Sequence, residues 1–141
     1  MKIPAWIPCY GDASFRGDCP SESAEQITFF NHIRINYPET YGIIAIHPRN
    51  EQQLRGSQFS ALSRHKAEGM TTGASDIIIP GCPAFVCELK RKDHTKSRWQ
   101  DGQMEYLEAA QKLGAFICVA LGWEGAVSAL NEWVDTHQYP R

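Results

Sequence analysis

No apolar run in this sequence approaches the roughly 20 residues needed to cross a bilayer. The longest are as short as Ile43–Ile46 and Ile77–Ile79, so no membrane span is expected. The opening MKIPAWIPCYGD has no apolar core stretch and does not read as a signal peptide, which makes the cytoplasm the expected compartment. Five cysteines are scattered through the chain without a CxxC pair, and no Cys/His spacing matches a zinc finger. A zinc site from Cys82, Cys87 and His94 can be drawn, but it lacks the ligand spacing of structural zinc modules. Cys87 and Cys118 sit in apolar runs and read as small core residues. A strong excess of one charge is missing too: the formal net charge is −2, which argues against a general nucleic-acid coat protein. It leaves room for an acidic centre with positive flanks. Internal repeats and low-complexity segments are absent.

What is there suits one ordinary domain of 141 residues. Residues 1 to 20 form an arm punctuated by Pro4, Pro8, Gly11, Gly17 and Pro20, and Trp6, Ile7 and Phe15 suggest that it packs against the rest. Ser21 or Ser23 can cap a helix with Glu22 and Glu25 in its first turn. Ala24, Ile27, Phe30, Ile33 and Tyr37 recur at helical spacing until Pro38 stops it. Tyr41–His47 reads as a strand, Pro48–Gly56 as a polar connection, and Ser57–Glu68 as a helix ended by Gly69, with Phe59, Leu62 and Ala67 on one side. Ser75–Ile79 and Ala84–Lys90 read as strands joined by the turn at 80–83. Ser97–Leu113 reads as a helix ended by Gly114, Ala115–Leu121 as a buried strand, and Gly122 to about Asp135 as a last helix. The order gives an α/β chain with a mixed central sheet flanked by helices.

Chemistry concentrates on the hairpin. The two-residue period of a strand puts Val86, Glu88 and Lys90 on one face and Phe85, Cys87 and Leu89 on the other. If Ile78 pairs with Val86, then Asp76 stands opposite Glu88. Two carboxylates so placed repel, and a hard divalent cation between them removes the conflict. Lys90 would then lie beside the ion. Alone, an ExK tripeptide also fits a solvated strand edge with a salt bridge. Two helices add polar groups. Trp99, Gln103, Tyr106, Ala110 and Leu113 form the inward seam of their helix, with Gln103 in its middle. Glu25, Phe29 and Ile33 share one line on the first helix, which turns Glu25 towards the core. Positive charge gathers in KRKDHTKSR (Lys90–Arg98) and at Arg64, His65 and Lys66.

Asp76 followed by Glu88-Leu89-Lys90 resembles the PD-(D/E)xK nuclease signature. The chain is most similar to the VRR-NUC branch of that superfamily, especially its small stand-alone phage and prophage members. The pieces that carry the likeness run in order over about residues 21 to 135. They are SESAEQITFF, His-Pro-Arg-Asn at 47–50, KAEGMTTGASDIIIP, FVCELKR, QMEYLEAAQKLG and GWEGAVSALNEWV. The resemblance implies a restriction-endonuclease-like core in residues 21–141, with residues 1–20 an arm that has no counterpart. It implies Asp76 and Glu88 as metal ligands, Lys90 as the catalytic lysine and Gln103 as the supporting helix glutamine. Glu25 would complete the metal environment, with Glu22 its nearest competitor. Ser75 departs from the family pattern, which has Pro before the Asp.

The function so implied is Mg²⁺-dependent hydrolysis of DNA phosphodiesters, with Mn²⁺ as a substitute ion. Arg91, Lys92, Lys96, Arg98, Arg64 and Lys66 would contact backbone phosphates without reading sequence. Stand-alone members resemble homodimeric Holliday-junction resolvases, so branched DNA and a homodimer are the expected partners. The alternatives are a catalytically silent branched-DNA-binding protein, a flap- or end-directed or restriction-type nuclease, and an interaction protein whose ELK strand is coincidental.

Overall fold

The computed structural model describes residues 1–49 and 61–137. Its centre is a four-stranded sheet in the order β1-β4-β3-β2, made of β1 (Cys9–Tyr10), β2 (Ile77–Ile79), β3 (Phe85–Lys90) and β4 (Phe116–Leu121). Strands β1, β4 and β3 run parallel, and β2 is antiparallel to β3. The helices are α1 (Glu22–Asn36), α2 (Tyr41–Ile44), α3 (Leu62–Ala67), α4 (Gln103–Lys112) and α5 (Gly122–His137). The fold is α/β, a mixed sheet with helices on both faces, as in the restriction-endonuclease-like core. The link from β3 through α4 to the parallel β4 is a βαβ unit, which needs a long crossover.

Strand alternation sorts β3 between two cores. Phe85, Cys87 and Leu89 enter the larger one, with Phe29, Ile33, Leu130 and Trp133 from α1 and α5. Val86 enters the smaller one, with Ile7, Leu107, Ile117 and Val119. Cys87 and Cys118 are fully buried in the larger core as small apolar residues. Glu88 and Lys90 share the face of Val86 yet are themselves buried. The hairpin register pairs Ile78 with Val86, so its continuation sets Asp76 opposite Glu88.

Several elements differ from the sequence reading. Tyr41–His47 is not a strand: α2 occupies Tyr41–Ile44, and only Ile46 bridges to the sheet, at Ile78. A helical turn lets Tyr41 pack on Tyr37 and Trp133, ring centroids 5.1 Å away in each case. Short apolar runs do not distinguish that turn from a strand. The helix expected from Ser97 begins at Gln103, after Gly102 with φ +83°. Trp99 therefore does not set the helix phase. Leu107 is fully buried in the seam, and Leu113 is 91% exposed. On α1, capped by the Ser21 side chain, Glu25, Phe29, Phe30 and Ile33 are buried, whereas Ile27 is exposed. The buried line runs through a glutamate, which a purely apolar pattern passes over. The arm contributes β1 to the sheet and Ile7 to the core. Phe59 lies outside the described residues, and α3 buries no side chain.

Candidate active site

Each side chain of the pocket is fixed by its element. Asp76 immediately precedes β2, and its Oδ2 accepts the Leu89 N–H at 2.9 Å, which ties the carboxylate to the neighbouring strand. Glu88 and Lys90 leave the same face of β3 with 0% and 1% exposure. The Lys90 ammonium donates to the Arg98 carbonyl and to Gln103 Oε1, each at 2.8 Å. Glu88 Oε2 stands 3.5 Å from it, and the Trp99 ring centroid 5.2 Å. Gln103 Oε1 also accepts the Gln100 N–H at 2.8 Å. Glycines make this approach possible. A Cβ on Gly73 would stand 2.2 Å from the Gly102 carbonyl carbon, so only bare backbones let the loop before Asp76 reach the start of α4.

Glu88 is the anomaly. Among the described residues neither of its buried oxygens has a hydrogen-bond partner. Burial pushes its carboxyl well above the ordinary glutamate range, and the Asp76 carboxylate beside it adds to the rise, against the Lys90 charge. A buried carboxylate without donors is costly unless a cation completes it.

The first-helix acids separate. Glu22 Oε2 accepts the Ser97 hydroxyl at 2.8 Å, and the charges acting on it are Lys90, Asp76 and Arg91. Burial raises its pKa. Glu25, expected at the metal, faces the start of α5 instead. Its carboxylate takes a backbone hydrogen bond from Trp123, and a Cβ on Gly122 would stand 2.8 Å from its Oε2. Glu25 thus serves as an anion at a helix N-terminus, where free N–H groups favour it. Burial raises its pKa as well. The structure brings Asp76, Glu88, Lys90 and Gln103 together, adds Glu22, and leaves Glu25 at α5.

The fold has a solved counterpart. The fold is similar to that of a VRR_NUC domain protein. The two share 19% sequence identity over 89% of this chain and 96% of the other, with a TM-score of 0.68. No protein-family model matches the sequence, and no curated protein matches it either. At that identity the likeness concerns the fold.

Within this VRR_NUC-like fold the basic segment after β3 is occupied by the arm. Arg91 donates through Nε to the Pro20 carbonyl at 3.1 Å and through Nη2 to that of Cys19 at 2.6 Å. Lys96 donates to the Gly17 carbonyl at 2.9 Å. Lys92 lies 4.6 Å from the Phe15 ring centroid and 3.9 Å from Glu124. Asp93 accepts the Gly17 N–H at 3.0 Å. Three side chains expected on phosphate therefore hold residues 15–20. Arg98, Arg64 and Lys66 are exposed. Sequence reasoning also passed over Ser97, which bonds Glu22 and the Arg91 N–H, and His47, whose Nδ1 lies 2.8 Å from the Asp76 carbonyl. Glu22 was legible as a first-turn acid of α1 and the nearest competitor of Glu25. Nothing in the local pattern marks Ser97.

The pocket's own atoms suit a hard divalent cation. Among the described residues no group of three or more His, Cys, Asp or Glu side chains forms a complete cage. Mg²⁺ does not demand one, since it is usually bound by one or two carboxylates together with water and substrate phosphate. The unpartnered oxygens of Glu88 beside Asp76 supply that donor set.

Proposed function

We propose that this chain is a metal-dependent, structure-selective DNA endonuclease that resembles Holliday-junction resolvases. The observation that carries the reading is the buried Glu88 carboxylate, without hydrogen-bond partners among the described residues and flanked by Asp76 and Lys90. Asp76 and Glu88 would hold Mg²⁺, with Mn²⁺ as a substitute, and Glu22 would supply the first-helix acid. Bound there, the ion supplies activation of water and compensation of phosphate charge.

The chain's own residues do the rest. Lys90, held by the Arg98 carbonyl and Gln103, keeps its ammonium at a fixed point beside Glu88. From there it orients the attacking water or stabilises charge on the phosphate. Asp76, bonded to the Leu89 N–H, is held in register with Glu88 and needs no reorganisation when substrate arrives. Exposed Arg98, Arg64 and Lys66 bind backbone phosphates. Residues 21–141 would carry the nuclease site, with the arm completing the sheet through β1. A homodimer would present two such sites to the near-twofold strands of a four-way junction.

The test is incubation with linear, flapped and four-way DNAs in Mg²⁺, Mn²⁺ or EDTA, beside Glu88→Ala. Paired cuts in opposed strands of the junction, lost in EDTA and in the variant, are expected. Two-chain sedimentation at micromolar protein should accompany them. Absence of metal-dependent cleavage on every DNA refutes the reading.

A further inference from the structure

A cleft of about 490 Å³ lies between α1 and the segment that follows α2. Its polar lining is two amides, Gln26 and Asn31, with the Arg34 guanidinium and the His47 imidazole. Phe30, buried, and Ile27, 61% exposed, are among its apolar lining residues. Among the described residues no lining side chain is acidic, so the cleft is cationic in a chain whose net charge is negative.

Two ties join this cleft to the carboxylate pocket. A carbonyl oxygen only accepts, so the contact between His47 and the Asp76 carbonyl, 2.8 Å, requires the proton on Nδ1. That bond anchors one wall of the cleft to the residue that carries the Asp76 carboxylate. On the opposite wall, Gln26 follows Glu22 by four residues, which places both on one face of α1. The cleft therefore adjoins the two elements that carry Asp76 and Glu22.

We propose that the cleft holds an unpaired nucleotide of the DNA strand adjoining the phosphate to be cut, a reading that rests on the nuclease assignment and specifies its substrate. Amides offer both a donor and an acceptor, as the edges of nucleobases do. The Arg34 guanidinium carbon lies 5.2 Å from the Phe30 ring centroid, and a planar cation so backed gives a base a surface to stack on. The backbone on either side of that base is anionic, which matches the Arg34 guanidinium. Bases inside a duplex have both faces covered, so the cleft takes a base only where pairing opens beside the branch.

The test is fluorescence anisotropy in EDTA with labelled single-stranded dT12 and with a blunt duplex of the same length. Wild-type protein is expected to favour dT12. Arg34→Ala and Gln26→Ala should each weaken dT12 by about tenfold. Arg34→Lys should lose most of the same amount because it keeps the charge and loses the plane. Lys112→Ala, which removes one exposed cation at the far end of α4, should change binding less than twofold. Thermal unfolding of each variant confirms that it folds. Equal binding by Arg34→Ala and wild type, equal losses in Arg34→Ala and Lys112→Ala, or no wild-type binding to dT12 would each overturn the proposal. Metal-dependent cleavage of the four-way junction is scored separately. Its absence refutes the nuclease reading while the anisotropy still decides the cleft, and its presence with unaltered dT12 binding in the variants refutes the cleft alone.

Discussion

The Lys90 ammonium lies closer to the neutral amide oxygen of Gln103, at 2.8 Å, than to the Glu88 carboxylate, at 3.5 Å. A lysine buried to this degree needs acceptors for its protons, and neutral oxygens meet that need without consuming the carboxylate. Glu88 is thereby left open to a cation.

Removing the acceptor should expose this division of labour. Gln103→Ala removes one of the two acceptors of the Lys90 ammonium and the partner of the Gln100 N–H, and a donor left unpaired costs about 1–3 kcal/mol. Urea unfolding is expected to show that loss. Single-turnover cleavage should slow because Lys90 is then held by the Arg98 carbonyl alone. Unchanged stability together with unchanged rate would remove Gln103 from the site.

Metal binding should stabilise the wild-type fold and not the ligand variants. At an ion concentration 100 times Kd, a single site adds about 2.7 kcal/mol. Mg²⁺ or Mn²⁺ is expected to raise the Tm of wild type and to leave Asp76→Ala and Glu88→Ala unmoved. Both variants should lose cleavage yet bind DNA as well as wild type or better, since each removes a negative charge facing phosphate. Cleavage at the wild-type rate in either variant would refute the ligand assignment.

The two first-helix acids should behave differently. Glu22→Ala is expected to lower metal-dependent cleavage with modest effect on stability. Glu25→Ala should destabilise the protein by about 1 kcal/mol through the start of α5, with metal dependence retained. Reversed phenotypes would restore Glu25 to the metal.

The arm should respond to acid through Asp93. The Thr95 hydroxyl, then the Gly17 N–H, hold the Asp93 carboxyl down at about 2. A depressed folded pKa contributes stability above the unfolded value of 3.8, and that contribution is lost as pH falls towards about 2. Asp93→Asn should therefore loosen residues 12–18 at neutral pH and flatten the acid limb between those values. Limited proteolysis and hydrogen exchange at Gly17 read the arm directly. Protection identical to wild type at neutral pH would contradict this role.

Arg91 should act on the arm rather than on phosphate. Its guanidinium donates to the carbonyls of Cys19 and Pro20. Arg91→Ala is expected to sensitise the arm to protease while the salt dependence of DNA binding keeps its slope. A slope reduced by about one would mark a phosphate contact instead.

Sequence alone determined whatever depends on local period and local caps. Alternation along Phe85–Lys90 put Glu88 and Lys90 on one face, and the short turn at 80–83 set Asp76 opposite Glu88. Ser21 or Ser23 marked the start of α1, of which the structure takes Ser21, and Gly114 marked the end of α4. Tertiary structure decided what depends on partners distant in the chain. Cys9–Tyr10 is too short to read as a strand, and it becomes one only because β4 offers it a free parallel edge. Tyr41–His47 has a strand's composition, yet Tyr37 and Trp133 draw Tyr41 into a helical turn. Glu22 and Glu25 are both acids in one first turn. Ser97 takes one and the start of α5 the other, because a buried carboxylate goes where donors are, and donors from other elements leave no mark on the helix that receives them.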